Sequence, residues 1–314
     1  MTSSNPLVTI VVAAYRTPHH YLRTALAGAV AQTFGDWELI VTDDSPSDDL
    51  RRVAEEFQDD RIRYLHNAPS LGIDRNHWRG IGAARGSLIA VLNHDDEYLP
   101  QFLERLALPL AADPSLSAAF CDHWVMDSDG NNQPEITEAH TVGYGRSTLP
   151  AGVHRPWRNL LVAQTVPIAM GAVLRKSELG DMAARPVGPA YDLWLGYLLC
   201  RHSAGIYYVP ERLSRWRAFA NNATTRGDAS WPAGAAETWQ AIASDDTFRP
   251  WRDFAQRKTA TAYYHAARSA WRAGHHRQTL AYGWNSLRAR PSLRGAAACL
   301  LALVPNRLDR RASS

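Results

Sequence analysis

The sequence predicts an α/β fold: a mostly parallel, twisted sheet flanked by helices, followed by a helical C-terminal region. Three observations predict it. Strand and helix signals alternate with short links through the first third of the chain, which implies an open α/β sheet. The strand-length runs are apolar and β-branched with few charges, as in strands covered on both faces. Two of these runs end on paired acids, Asp43-Asp44 and Asp95-Asp96, at the strand ends where such sheets bind ligands.

Taken in order, residues 7–14 (LVTIVVAA) read as a buried strand and 21–32 as an Ala-rich helix. Residues 37–42 (WELIVT) read as the second strand, and 50–58 as a charged helix with Asp48 and Asp49 near its start, where acids favour the helix dipole. Residues 62–66 form a third strand. Residues 75–85 form a helix that Gly86 ends. Residues 88–93 (LIAVLN) are a fourth buried strand, and 100–112 a helix stopped by Asp113-Pro114. Residues 117–127 form another strand, with a turn at 129–132. The middle is less regular: strand at 169–176, helix at 191–202, strand at 205–210. From Ala235 onward the chain reads as helical, with a hairpin of 260–274 and 276–290 around Gly274.

The chain has 314 residues, enough for one large domain or two small ones. Hydrophobic residues are 46% and charged residues 21%, which suits a folded soluble protein and excludes disorder as the main state. Lys plus Arg is 34 and Asp plus Glu 31, a net charge of +3 that gives no argument for a nucleic-acid partner. Cys121, Cys200 and Cys299 are too scattered for a disulfide or metal pattern, so a reducing compartment is expected. The first residues lack a signal-peptide plan, and the longest apolar run, 296–304, is too short to span a bilayer. A cytoplasmic protein is expected.

Adjacent carboxylates repel, and a divalent cation with a diphosphate would let both Asp95 and Asp96 ionise. The alternative is a loop acid pair opening the next helix. Asp43 and Asp44 sit in DDSPSDD, where a carboxylate could accept from a nucleobase imide or a ribose hydroxyl. The alternative there is plain turn chemistry. The chain has no GxGxxG after its first strand and no GxxxxGK[ST]. It also lacks GxSxG, HExxH and CxxC, so dehydrogenase, P-loop, hydrolase-elbow and zincin readings lose their support.

Four segments carry a resemblance: VTIVVAAYR at 8–16, AQTFGDWELIVTDDSPSDD at 31–49, LGIDRNHWRGIGAARGSLIAVLNHDDEYLP at 71–100 and YDLWLGYLL at 191–199. In order and spacing over residues 6–225 the chain resembles glycosyltransferase family 2, the inverting nucleotide-sugar transferases of the GT-A fold. The resemblance implies a catalytic domain at 1–225, with nucleotide-sugar binding in 1–125 and the acceptor side in 126–225. Residues 226–314 would be a helical accessory region. It implies that Ala14 and Tyr15 lie beside the nucleobase, that Asp44 binds the base with Asp43 in support, and that Arg75 and Asn76 reach the nucleotide or its phosphates. Asn93 and Asp95 would face the ribose, and Asp96 would bind a divalent Mn²⁺ or Mg²⁺ that bridges the diphosphate. Such a metal acts as Lewis acid on the leaving group.

The sequence departs from the family's pattern at three places. The first acid of the metal motif is Asn93. The Glu-Asp expected before the aromatic-Asp-Leu-Trp stretch reads Pro189-Ala190, and Ala190 cannot be the general base. Asp192 is the nearest carboxylate, either that base or a helix N-terminal acid, with Asp122 as another possible base. The late Tyr-Arg-x-His reads Trp216-Arg217-Ala218-Phe219, which leaves Arg215 and Arg217 as the diphosphate contacts. Of 11 tryptophans eight follow residue 150, and Trp157, Trp194 and Trp216 either line an acceptor site or pack the core.

The implied activity is a hexosyltransferase-type transfer from a UDP- or dTDP-sugar to a carbohydrate, lipid-linked or small-metabolite acceptor. The products typical of such enzymes are cell-surface polysaccharides and glycoconjugates. The Arg-rich apolar stretch at 287–314 either packs with a solvated Arg face or lies peripherally on the inner face of the membrane. Rival readings are a nucleotide-sugar binder without turnover, motivated by Ala190 and Phe219, and a scaffold that uses the helical tail.

Overall fold

The computed structural model describes residues 5–202, 205–218 and 229–304. The chain divides into two compact units, Met1–Ala183 with Leu198–Phe219, and Ala184–Tyr197 with Ala220–Ser314. Phe219 and the tail beyond Val304 lie outside the described residues.

Among the described residues of the first unit, nine strands form one mixed sheet. They are β1 (Val8–Ala14), β2 (Trp37–Asp43), β3 (Ile62–His66), β4 (Leu88–Asn93), β5 (Glu97–Tyr98), β6 (Leu116–Met126), β7 (Gly152–His154), β8 (Ala172–Arg175) and β9 (Gly205–Arg217). The order is β3-β2-β1-β4-β8-β6-β9-β5, with β7 on β9. Strands β1 to β4 are parallel, β8 runs antiparallel between β4 and β6, and β6 and β9 are parallel. The helices are α1 (His19–Val30), α2 (Leu50–Glu55), α3 (Ile73–Ala83), α4 (Phe102–Ala112), α5 (Pro134–Gly143), α6 (Arg158–Val162) and the distorted turn α7 (Ile168–Gly171). Helix α8 (Tyr191–Arg201) begins in the second unit and ends in the first.

Every residue of β1 and β2 is buried, as uninterrupted apolar runs require of strands covered on both faces. Helix α1 turns Leu22, Ala25, Leu26 and Ala29 into this core, the i, i+3, i+4, i+7 stripe of an amphipathic helix. Register fixes what the strand ends present: Ala14 pairs with Asp43, and Ala13 with Asn93. The residues expected to meet a nucleotide therefore finish in one row along the sheet's carboxyl edge.

Several expectations are corrected. Gly86 does not cap α3, which ends at Ala83. A Cβ on Gly86 would stand 2.7 Å from the Thr9 nitrogen, so glycine is there for the close approach of chain to β1. Only 172–175 of the strand expected at 169–176 pairs, because Met170 adopts φ +59 and breaks the run. Strand β9 continues through the charged residues 211–217, where a bulge opposite Asp122 and His123 hides the alternation. Helix α5 and the short elements β5, β7 and α6 carried no clear periodic signal.

The second unit is helical: a 3-10 turn at Gly188–Ala190, the start of α8, then α9 (Ser230–Ser244), α10 (Arg252–Arg272), α11 (His276–Ala289) and α12 (Leu293–Leu301). Gly274, at φ +80, turns α10 into α11 as its position between the two helical patterns implied. Gly234 lets α9 meet the 3-10 turn, since a Cβ there would lie 1.9 Å from the Val187 carbonyl oxygen and 3.3 Å from the Ala190 methyl.

Candidate active site

The first acid pair closes the end of β2. Asp43 is fully buried, with Oδ1 accepting from the Ser45 N–H at 2.9 Å and Oδ2 from the Tyr64 hydroxyl at 2.5 Å. Burial, then the hydrogen bond to Asp43, pushes the Tyr64 phenol well up, so it stays a donor. Asp44 is 3% exposed and accepts four hydrogen bonds. Oδ1 takes the Leu71 N–H at 2.7 Å and the Asn67 amide at 2.9 Å. Oδ2 takes the Ser70 hydroxyl at 2.6 Å and the Gly72 N–H at 2.8 Å. Burial alone would raise its carboxyl, but these donors outweigh it and hold Asp44 below the usual carboxylate range.

A carboxylate offers about four lone-pair sites, and Asp44 spends all of them on the loop 67–72. It therefore anchors that loop, and its engaged oxygens leave no free lone pair for a base. Asn76 is corrected in the same way. Its Nδ2 donates to the Ala14 and Thr42 carbonyls, each at 3.1 Å, and its Oδ1 accepts from Asn67 at 2.7 Å, leaving no donor for a ligand. The Ala14 carbonyl also accepts the Asp44 N–H at 2.9 Å, so β1, β2 and α3 are locked together behind the site. What remains open beside this lock is the Tyr15 ring, 46% exposed, with Leu71, Ile73 and the exposed Arg75. The guanidinium of Arg75 has no partner among the described residues. The wall-forming loop 67–72 was missed in the sequence, where only Leu71 and Gly72 fell inside a quoted segment.

The second acid pair follows β4. Asp96 is buried, accepting at Oδ1 from the Arg217 N–H and at Oδ2 from the Asn93 amide, both at 2.8 Å. Burial first, and the adjacent Asp95 charge second, push the Asp96 carboxyl well up. The Asp95 side chain keeps 16% of its surface open. Two carboxylates side by side, one of them buried, form a setting that a cation relieves. Among the described residues no three His, Cys, Asp or Glu side chains converge on one point. Mg²⁺ and Mn²⁺ often take only one or two carboxylates and complete their shell with phosphate oxygens, so the pair fits such an ion as a partial donor set.

Arg215 and Arg217, expected on a diphosphate, spend their guanidinium donors within the protein. Arg217 is 3% exposed; its Nε donates to the Asp95 carbonyl at 2.8 Å, and its terminal nitrogens to the Asp127 and Ser128 carbonyls and to Glu97. Arg215 donates to Glu97 at 2.6 Å, to Asn132 at 2.9 Å and to the Gly130 carbonyl. Both fasten β9 and the 127–132 turn to the Asp95–Glu97 segment, and so hold the acid pair in place.

Asp122 is a closed ion pair. It accepts from Arg146 Nε at 2.8 Å, the Thr141 hydroxyl at 2.6 Å and the His123 N–H at 2.9 Å, all buried. It is thus removed as a base. His123 beside it is pushed down to about 3 by burial and the Arg146 charge, and stays neutral. Trp157 is buried packing.

In the second unit Asp192 occupies the first turn of α8 and accepts the Leu193 N–H at 2.7 Å. Burial pushes its carboxyl up. Ala190 is fully buried against α9 at Gly234, so the position where the resemblance would expect the base is a packing position here. Trp194 is buried as well.

A profile described as Glycosyl transferase family 2 matches residues 9–162. The chain belongs to that family. The matched residues cover β1 to β7, and with them both acid pairs. The succinoglycan biosynthesis protein ExoO of Rhizobium meliloti is 31% identical over 219 residues, covering 66% of this chain and 62% of that protein. The chain thus spans under two thirds of that relative's length. TarS residues 1–349 of S. aureus, solved with UDP, superposes with a TM-score of 0.65 at 11% identity, over 94% of this chain and 88% of that one. The mannosyltransferase PcManGT of Pyrobaculum calidifontis, solved with GDP-Man and Mn²⁺, gives a TM-score of 0.57 at 17% identity, over 99% and 84%. These likenesses establish the GT-A fold of the chain.

Proposed function

We propose that this glycosyltransferase moves a sugar from a UDP- or dTDP-sugar to an acceptor hydroxyl with inversion. The observation that carries the reading is the row of Asp43, Ala14 and Asn93 at the carboxyl ends of β2, β1 and β4, with the exposed Tyr15 following β1, the exposed Arg75 in the first turn of α3 and the Asp95–Asp96 pair following β4. The uracil or thymine would lie against Tyr15 and the loop that Asp44 and Asn76 hold. Asn93 and Asp95 would hold the ribose, and Arg75 would reach the phosphates. Asp96, with Asp95, would hold Mn²⁺ or Mg²⁺, which supplies charge neutralisation of the departing diphosphate. Asp192 would take the acceptor proton, a role its raised carboxyl suits.

Thermal unfolding against UDP and dTDP, each with and without Mn²⁺, tests the donor site. A ligand at about 100 times its Kd should stabilise by about 2.7 kcal/mol. The expected result is a metal-dependent rise in Tm with one diphosphate that Asp96→Ala abolishes. No rise with either, at millimolar ligand, overturns the site.

The acceptor is proposed to be a growing cell-surface glycan, supported by the relative that acts in succinoglycan biosynthesis. Peripheral membrane contact is proposed for the last helices, although no helix among the described residues is long and apolar enough to cross a membrane. Residues 254–304 carry eight Lys and Arg and no Asp or Glu, Arg257 and Arg290 pairing with Asp253 just before the stretch, and Leu293, Leu300 and Leu303 are 91%, 61% and 78% exposed. Such a basic and apolar surface matches an anionic bilayer. The full chain should float with vesicles containing phosphatidylglycerol, and Leu293→Glu with Leu300→Glu should leave it in solution. Equal flotation of both proteins would discard the contact.

A further inference from the structure

The second unit contains a polar cleft of about 480 Å³ that the transfer chemistry does not use. That volume lies in the range of small-molecule sites, about 300–1,000 Å³. Helix α9 lines it with Glu237 and Gln240, α10 with Gln256 and Tyr263, and α11 with Asn285 and Arg288. The spacings are i, i+3 or i, i+7, so each helix turns one continuous line of side chains toward its neighbours. Lines of that kind are ordinarily apolar, and elsewhere these helices follow the rule with Ala235, Trp239, Ala260 and Ala267 buried. Here three helices face one another across polar groups instead.

Part of the lining is spent and part is not. The Tyr263 hydroxyl donates to Glu237 at 2.7 Å, and Arg185 donates to the other Glu237 oxygen at 2.9 Å. The amides of Gln256 and Asn285 and the guanidinium of Arg288 have no side-chain partner among the described residues. Glu237 neutralises Arg185, so Arg288 leaves the cleft with one positive charge, within a stretch, 254–304, that contains no acid. Tyr263, the sole aromatic of the lining among the described residues, is 4% exposed and offers no face to a base.

We propose that this cleft binds an acidic glycan segment, with ring hydroxyls on Gln256 and Asn285 and a carboxylate on Arg288. Planar amides and a forked guanidinium match hydroxyl pairs and a carboxylate in geometry. The proposal rests on the reading of the chain as a glycan-building enzyme, and it adds a second glycan contact remote in sequence from the donor site. The cleft would hold a charged sugar of the acceptor chain.

The test is calorimetry on the full chain with three probes: a tetrasaccharide of alternating glucuronate and N-acetylglucosamine, neutral chitotetraose, and inorganic phosphate. The acidic tetrasaccharide should bind saturably and more tightly than chitotetraose. Arg288→Gln should weaken it about tenfold or more, and Asn285→Ala should also weaken it. Both side chains end at the surface of the cleft, so unchanged melting and unchanged UDP binding would show that the variants fold and that the donor site is intact. Absence of binding by both saccharides overturns the proposal, as does an Arg288→Gln affinity equal to wild type. Phosphate binding as tightly as the tetrasaccharide would also overturn it, reducing the cleft to an anion site. Absence of UDP binding by the wild-type chain would instead count against the donor site, and the two failures are therefore distinguishable.

Discussion

Asp192→Asn should lower kcat by about 10²–10⁴-fold, the contribution of a positioned general base. Donor binding, read by the UDP-induced rise in Tm, should not change. The substitution is close to isosteric, and Asn keeps an oxygen to accept the Leu193 N–H. Its pH signature is specific. Burial raises the Asp192 carboxyl, so the basic form is lost on acidification at a higher pH than for an ordinary carboxylate. The wild-type rate should fall along that limb, and the limb should be missing from the variant. The rival view of a donor-binding protein without turnover predicts no rate in either protein. A variant as fast as wild type removes Asp192 from the mechanism. Asp122 would not take its place, because Arg146, Thr141 and the His123 N–H already hold that carboxylate.

Asp44→Asn should be the most destabilising single change at the donor site. The new amide would point a donor at the Ser70 hydroxyl and Gly72 N–H, or at the Leu71 N–H and Asn67 amide. Each buried donor left without an acceptor costs about 1–3 kcal/mol, so a loss of about 3 kcal/mol is expected. For a domain of this size that lowers Tm by about 6–12 °C. UDP binding should weaken with it, because the loop that walls the base loses its anchor. The sign of the pH dependence follows from the direction of the shift. Asp44 is held below its ordinary value, so its stabilisation is complete above the unfolded-state value of about 3.9 and is lost as pH falls through the folded one. The gap between wild type and variant should therefore be full at pH 7 and close in acid. A Tm within a degree of wild type at pH 7 would show that the carboxylate is not the anchor of the loop.

The candidate site illustrates what a linear pattern can and cannot specify. Asp43, Asp44, Asp95 and Asp96 were legible because each follows an apolar strand, and parallel strands present their carboxyl ends together. The lone-pair accounting was not legible. Leu71, Gly72, Ser70 and Asn67 lie over twenty residues from Asp44 in the chain, and only the fold brings their donors onto its two oxygens. The intramolecular partners of Arg215 and Arg217 were not legible for the same reason. The two arginines were expected on a diphosphate from the resemblance at Trp216-Arg217-Ala218-Phe219, but Glu97, Asn132 and the carbonyls of 127–130 take their donors in the fold.

The sequence by itself determined the parallel half of the sheet, the helices against it, the C-terminal helices and the family. Those features rest on local periodicity and on short motifs, which survive in one dimension. Tertiary structure alone decided that β8 enters the sheet antiparallel, that β9 runs on through charged residues, and that α9 closes over Ala190. It also decided that three polar helix lines meet in one cleft. Each of these depends on which distant segment supplies a partner for a backbone edge, a carboxylate or a missing Cβ, and pairing of that kind has no period to read.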